Sequence, residues 1–113
     1  MTLQNKLERI GTALVIAVGL NVYHYWRPNI PAPFCVWAED GETLSFNADN
    51  HKKEQAIGGY VDYYTIREFD PVLDDIQDAL NGINEFPFSW RLDSVQYEED
   101  TNLIHYQWIW SVV

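Results

Sequence analysis

The segment 89–113, SWRLDSVQYEEDTNLIHYQWIWSVV, constrains the fold more than any other part of the chain because apolar and polar side chains alternate along it. If Tyr97 and Leu103 close a turn, the register pairs Phe88 with Val112, Trp90 with Trp110 and Leu92 with Trp108. The alternation then agrees across both strands, and a shift by one residue would expose the tryptophans to water. We therefore predict a long β-hairpin with one aromatic face.

The two faces of this predicted hairpin differ in polarity. Ile104 and Tyr106 continue the apolar face. The opposite face carries Arg91, Asp93, Val95, His105, Gln107 and Ile109. This difference is typical of an antiparallel sheet that is covered on one side and wetter on the other.

Two helices are predicted outside the hairpin. Apolar residues recur at helical spacing from Leu3 to Val18, which predicts an amphipathic helix that ends at Gly19. A second helix follows Asp70, with Asp70 as its cap and Pro71 at its first helical position. It ends near residues 81–82, and its predicted buried stripe is formed by Val72, Leu73, Ile76, Ala79, Leu80 and Ile83.

The central part of the chain predicts further strands. Residues 21–27 predict a short strand, and the prolines in 28–33 predict an extended, exposed connection. Asp40-Gly41 predicts a two-residue turn that pairs Trp37 with Leu44 and Cys35 with Phe46. Residues 47–55 predict a polar, mobile loop. Residues 56–68 predict a long strand with a bulge or a close backbone approach at residues 58–59.

These elements predict one α+β domain over residues 1–113. Its sheet is mainly antiparallel, or mixed, with two packed α-helices and the long β-hairpin at the end. The apolar run 11–20 is about half of the ~20 residues that span a bilayer, so we predict a buried helix and no membrane partner.

Composition argues against several functions. The formal charge of −10, from 17 acidic and 7 basic side chains, would repel a phosphate backbone. The single Cys35 excludes an intrachain disulfide and a cysteine-based zinc site. His24, His51 and His105 lie in different predicted elements without metal-ligand spacing. We therefore expect no metal and no cofactor.

Candidate catalytic groups also have simpler interpretations. His105 lies near Asp93 on the polar hairpin face, where a surface pair is the simpler interpretation and a small hydrolase or binding domain the alternative. Glu98, Glu99 and Asp100 fit a solvated turn rather than a calcium loop. Asp70, Asp74, Asp75 and Asp78 are predicted on the exposed side of the second helix. No pattern of residues supports an enzyme, whereas five tryptophans and seven tyrosines favour protein assembly.

Three segments resemble the tail completion proteins of long-tailed bacteriophages and prophages, which are also called tail terminators or tail-to-head joining proteins. They are GYVDYYT (residues 59–65), the helix FDPVLDDIQDAL, and the ending DSVQYEEDTNLIHYQWIWSVV. An aromatic and proline-rich stretch, residues 25–37, and the pattern YE-x-D-T-x-x-x-H-Y-x-W fit the same family. The resemblance covers most of the chain.

The resemblance implies a virion protein that is made in the bacterial cytoplasm and forms a ring, usually a hexamer, on the head-proximal end of the tail tube. Such a ring stops tube polymerisation and contacts the tail tube protein and a head-completion or connector protein. DNA passes through its lumen without specific binding. The alternative function is a non-viral protein–protein interaction module of the adaptor or immunity type.

If the chain forms such a ring, we expect its polar loops and strand edges to make the contacts. The candidates come from segments 28–33, 47–55 and 98–101. The interaction residues predicted on this basis are Pro28, Asn29, Pro31, Asn47, Asp49, His51, Lys52, Lys53, Glu54, Glu98, Glu99 and Asp100.

Overall fold

In the computed structural model, two α-helices pack on one face of a five-stranded sheet. The structure describes the backbone of residues 1–48 and 51–113 and the side chains outside residues 44–54. The elements are α1 (Leu3–Val18), β1 (Val22–His24), β2 (Phe34–Ala48), β3 (His51–Thr65), α2 (Val72–Asn81), β4 (Phe88–Glu98) and β5 (Leu103–Val112). The strand order is β1-β2-β3-β5-β4. Only the described β1–β2 pair is parallel. The predicted α+β class with a mainly antiparallel, mixed sheet is confirmed.

The hairpin of β4 and β5 confirms the predicted register in its first half. Phe88 pairs with Val112, Trp90 with Trp110 and Leu92 with Trp108. Beyond that point a bulge at Asp93 adds one residue to β4, so Tyr97 pairs with Ile104 and not with Leu103. A bulge moves every following side chain to the other face. Val95 and Tyr97 therefore join the apolar face, and the predicted place of Val95 on the polar face is wrong.

The predicted turn at Asp40-Gly41 is wrong, because β2 continues through these residues. Trp37 pairs with Val61 and Cys35 with Tyr63. The strand β3 has 15 residues, which lets it pair along nearly all of β2. This long ladder of hydrogen bonds, although it contains bulges, outweighs a local turn preference. The residues 40–41 form a bulge instead, with Gly41 at φ 149°.

The glycine pair 58–59 lies opposite this bulge. A β-carbon on Gly59 would lie 2.2 Å from the carbonyl oxygen of Ala38 and 2.3 Å from the Trp110 ring. The predicted close backbone approach at this pair is therefore confirmed. Glycine is required because the two strands and the indole leave no space for a side chain.

The predicted mobile loop 47–55 is wrong for the described residues, since most of them belong to strands. The backbone of Asn47 pairs with Lys52, and Ala48 pairs with His51. β5 ends where Val112 pairs with Ile57, so residues 42–48 and 51–56 extend beyond the other strands. We call this two-stranded extension the arm. The same long ladder explains the error, because polar residues remain in a strand when both partners continue.

The main core lies between the helices and the sheet. Ile10 and Leu14 of α1 and Ile76 and Leu80 of α2 are fully buried there. The sheet contributes Cys35, Trp37, Val61, Tyr63, Trp108, Trp110 and Val112. The predicted buried stripe of α2 is thus confirmed at its central residues. α2 also satisfies a buried indole, since the Nε1 of Trp108 donates a hydrogen bond to the Gln77 side chain at 3.1 Å.

Candidate interaction surfaces

The predicted interaction residues lie at two opposite ends of the sheet. Thr65 pairs with Ile104 at one end, which we call the loop end, and this end carries Pro28, Asn29, Pro31, Glu98, Glu99 and Asp100. The arm lies at the other end and carries the backbones of Asn47, His51, Lys52, Lys53 and Glu54. Asp49 lies outside the described residues. The structure therefore brings two of the three predicted segments together and separates the third from them.

The connection 28–33 folds back over the sheet face opposite the helices. The Arg27 guanidinium lies 4.5 Å from the ring centre of Tyr64, which anchors the start of the connection. A cavity of about 400 Å³ lies between residues 27–32 and Thr101 and Leu103. Asn29 and Pro31 are exposed, whereas Pro28 is buried. The predicted exposure of Pro28 is wrong because this connection covers a small second core that contains Phe34.

The acidic turn after β4 is exposed at Glu99 and Asp100 and half-buried at Glu98. The Tyr97 hydroxyl donates to the Asn102 side chain at 2.9 Å and closes the turn. Asn102 adopts a left-handed backbone conformation with φ 57°, which asparagine tolerates better than most residues. The turn is therefore held by its own side chains.

His105 pairs with Asp62 and not with Asp93, so the predicted pair is wrong. The His105 Nε2 lies 3.0 Å from Asp62 Oδ1, and the His105 ring stacks on Tyr64 at 4.3 Å. Asp93 binds Arg91 at 2.7 Å, because the bulge directs it away from His105. An Asp–His pair can orient a general base. It lies on the sheet face opposite the buried Cys35 thiol, which is therefore not its nucleophile.

The environment of Cys35 makes its thiol unreactive. The side chain is fully buried in the main core. Burial raises the pKa of the thiol, and the nearby charge of Asp62 raises it further. The thiol therefore stays protonated and unreactive at neutral pH.

A buried carboxylate joins β3 to the start of α2. The Asp70 Oδ2 atom accepts hydrogen bonds from the hydroxyls of Tyr63 and Thr65, each at 2.8 Å. Its Oδ1 atom accepts from the Val72 backbone N–H at 2.9 Å, so the Asp70 side chain caps the first N–H of the helix as predicted, whereas Pro71 occupies the N-cap position. The helix begins at Val72 rather than at Pro71. Asp70 is buried, so its predicted place on the exposed helix side is wrong, whereas Asp74, Asp75 and Asp78 are exposed.

These contacts determine the protonation of Asp70 and its partner. Burial alone would raise the pKa of Asp70, but the hydrogen bonds from Val72, Tyr63 and Thr65 together lower it. Burial raises the pKa of Tyr63, and its bond to Asp70 raises it further. At neutral pH the pair is therefore a charged acceptor and a neutral donor, which is the stronger form of the bond.

The residue before this carboxylate is exposed. Phe69 has a left-handed backbone conformation with φ 58°, and its side chain is 86% exposed. Other exposed apolar side chains lie along β4, the adjacent edge strand, and a shallow cavity joins Ile66 to Val95, Tyr97 and Ile104. We define the β4-edge surface as Ile66, Phe69, Leu92, Val95 and Tyr97. This surface could not be predicted from the sequence, because alternation does not reveal which strand lies at an edge.

A second set of exposed apolar side chains lies at the opposite edge. A groove with a volume of about 500 Å³ runs between α1 and β1, and His24 and Trp37 line it. The His24 ring stacks between Tyr25 at 3.8 Å and Trp37 at 4.0 Å. Its Nε2 lies 2.8 Å from a Glu39 oxygen. We define the β1-edge surface as Val15, Ile16, Leu20, Tyr25 and Trp26.

Neither a metal cluster nor a membrane-spanning helix is found in the part of the chain that the structure describes. Within residues 1–48 and 51–113, no three His, Cys, Asp or Glu side chains are grouped as metal ligands. No described helix combines the length and the apolar character that crossing a bilayer requires.

The fold is similar to that of a chain in the virion of a native gene transfer agent (GTA) particle, with a TM-score of 0.60. The similarity covers 97% of this chain and 92% of that chain, at 14% sequence identity. No protein-family model and no curated protein matches the sequence. At this identity the comparison shows a shared fold, which extends over nearly the full length of both chains.

Proposed function

We propose that this protein is a virion structural protein of a tailed bacteriophage or prophage. The observation that supports this function is the fold shared with a chain of a gene transfer agent virion. The resemblance of residues 59–65, the α2 segment and the β4–β5 hairpin to tail completion proteins points in the same direction. Within the virion, the protein caps the head-proximal end of the tail tube, ends tube polymerisation and joins the tail to the head.

The surfaces of the molecule support a function that depends on contact rather than on catalysis. Apolar side chains are exposed at both edges of the sheet, which is typical of proteins that assemble. We propose that six copies of the chain form a ring that binds the tail tube protein on one side and a head-completion protein on the other. Such a ring requires neither a cofactor nor an active site.

The net charge supports a lumen through which DNA passes without binding. A formal charge of −10 repels phosphates, and acidic side chains in a lumen would keep DNA from adhering. A structure of the assembled ring tests this idea directly. Acidic or neutral side chains should line the bore, and a basic bore would contradict the proposed passage of DNA.

Deletion of the gene from its source phage or prophage tests the function in the tail. Without a terminator, tails should be longer than normal and variable in length, and heads should be filled with DNA but separate from tails. Electron microscopy of the lysate measures both, and the wild-type gene supplied in trans should restore normal particles.

Normal tails joined to heads in the deletion strain would refute this function. If the protein were also absent from purified virions and bound one other protein in the cell, the non-viral interaction module would be the better explanation. Mass spectrometry of purified particles distinguishes the two.

A further inference from the structure

In the described residues, exposed apolar side chains concentrate at the two opposite edges of the sheet. The strand order β1-β2-β3-β5-β4 places the β1-edge surface and the β4-edge surface on opposite sides of the molecule. Ile16 is 79% exposed and Leu20 94% exposed on the first, and Phe69 is 86% exposed on the second. A single exposed apolar residue needs no explanation, but a group of five at each edge indicates contact with another protein.

The area of each surface fits one side of a stable protein interface. With about 100 Å² for an aliphatic side chain and about 150–250 Å² for an aromatic one, the exposed fractions leave roughly 400–500 Å² of apolar side chain on each surface. A standard interface buries roughly 800 Å² per partner, of which a little more than half is apolar. The apolar area of each surface is therefore close to what one side of a standard interface contains, and the two surfaces have similar areas.

Phe69 has the properties of an anchoring side chain. Its left-handed backbone is unfavourable for a bulky residue. Asp70 holds the next position through three hydrogen bonds to Tyr63, Thr65 and Val72. The backbone that carries the ring is therefore held in place, so little backbone entropy is lost when a partner covers Phe69.

We propose that the β4-edge surface of one copy docks on the β1-edge surface of a second copy, with Phe69 as the anchor. This inference rests on the proposed function, because it identifies the contact that would close the ring. A head-to-tail contact covers both edges with one type of interface, and it gives a closed ring when the rotation between neighbours is a whole fraction of a turn without a rise along the axis. The groove of about 500 Å³ between α1 and β1 gives the receiving edge a concave surface. The ring contact is thus apolar, in contrast to the polar loop contacts expected from the sequence.

Cysteine cross-linking tests which edges meet. One sample carries Tyr97→Cys, which keeps the Phe69 anchor, and a second sample, with a tag that changes its size, carries Ile16→Cys or Leu20→Cys. The native Cys35 is buried and does not react in the folded protein. A short thiol–thiol cross-linker should join the two proteins when they are mixed and should join neither to itself.

Two outcomes would overturn the head-to-tail contact. One is efficient cross-linking of Tyr97→Cys, or of the Ile16→Cys or Leu20→Cys variant, with itself, because this would show a twofold contact between identical edges. The other is the absence of any cross-linked product in the mixture at high protein concentration. Neither outcome affects the tail-length measurement in the deletion strain. Conversely, normal tails in that strain with intact cross-linking would refute the tail function and leave the contact standing.

A second variant separates association from folding. Phe69→Asn removes the anchor but suits the left-handed backbone, so the melting temperature should stay the same or rise. Ile30→Asn is the matched control, since Ile30 is an exposed apolar residue outside both surfaces. Phe69→Asn should reduce the yield of Ile16→Cys cross-linking to Tyr97→Cys at least tenfold, and Ile30→Asn should leave it unchanged. Equal yields in the two variants would refute Phe69 as the anchor.

Discussion

The buried carboxylate of Asp70 allows a quantitative test of how β3 and α2 are joined. The perturbation is Asp70→Asn, which keeps the size of the side chain but removes its charge. The new amide oxygen can still accept from the Val72 N–H, whereas the new NH₂ group cannot accept from the two hydroxyls of Tyr63 and Thr65. The variant therefore loses two of the three hydrogen bonds, and the remaining bond from Val72 is no longer assisted by a charge.

The expected loss follows from these contacts. A hydrogen bond to a charged group contributes about 1.5–3 kcal/mol, and rotated hydroxyls that accept from the new NH₂ recover part of this. Asp70→Asn should thus lower the free energy of unfolding at pH 7 by about 2 kcal/mol. Asp70→Ala leaves three donors without an acceptor, so it should cost about 3–5 kcal/mol. Asp75→Asn, at an exposed position in the same helix, is the matched control and should lower the free energy of unfolding by at most about 0.5 kcal/mol.

Urea unfolding followed by tryptophan fluorescence measures these differences, and pH gives an independent check. Because the folded pKa of Asp70 is lowered, its contribution is present above the unfolded pKa of about 3.9 and is lost as pH falls through the folded pKa. The difference in free energy of unfolding between the wild type and Asp70→Asn should therefore be constant above about pH 5 and decrease below about pH 4. The stabilising role of the Asp70 carboxylate would be refuted if this difference were no larger than that for Asp75→Asn, or if it stayed unchanged in acid.

Four further substitutions or reactions test the core and the surface. Trp108 is 1% exposed, so Trp108→Ala should lower the free energy of unfolding by about 3–5 kcal/mol in urea titrations. Gly59→Ala should cost about 1–3 kcal/mol in thermal unfolding, because its β-carbon would meet the Ala38 carbonyl; unchanged stability would contradict the close approach. A thiol reagent should label Cys35 only after denaturation, and rapid labelling of the folded protein would show that the core opens. Glu99→Lys at the exposed turn should leave the melting temperature nearly unchanged in calorimetry.

The sequence-based predictions are accurate where a feature is determined by residues close together in the sequence, and less accurate where it depends on distant residues. The register from Phe88 to Leu92 could be predicted because both strands of the hairpin alternate with the same phase. The bulge at Asp93 could not be predicted, because any residue can be the extra one in a strand. The predicted turn at Asp40-Gly41 was a strong local signal, but pairing with β3 outweighs it, although the partners of Glu39 and Gly41 are Gly59 and Gly58, 20 and 17 positions away.

The candidate surfaces were harder to predict than the fold. The interaction residues predicted from the sequence belong to polar segments, and their described parts do lie at the ends of the sheet. The two apolar edge surfaces were not predicted, because periodicity marks Val95 or Ile16 as apolar without telling whether another element covers it. Burial of an apolar residue depends on strand order and helix length, and both are properties of the complete fold.

The position of β5 between β3 and β4 has a consequence for biosynthesis. β4 leaves the ribosome before β5, but in the described sheet β4 pairs with no other strand. The sheet therefore cannot be completed until residues 103–112 have been synthesised. Nascent chains must wait with β4 unpaired, so the edge that would meet a neighbouring copy forms last. Unfinished polypeptides would accordingly be excluded from any assembly that depends on this edge, with no separate proofreading factor.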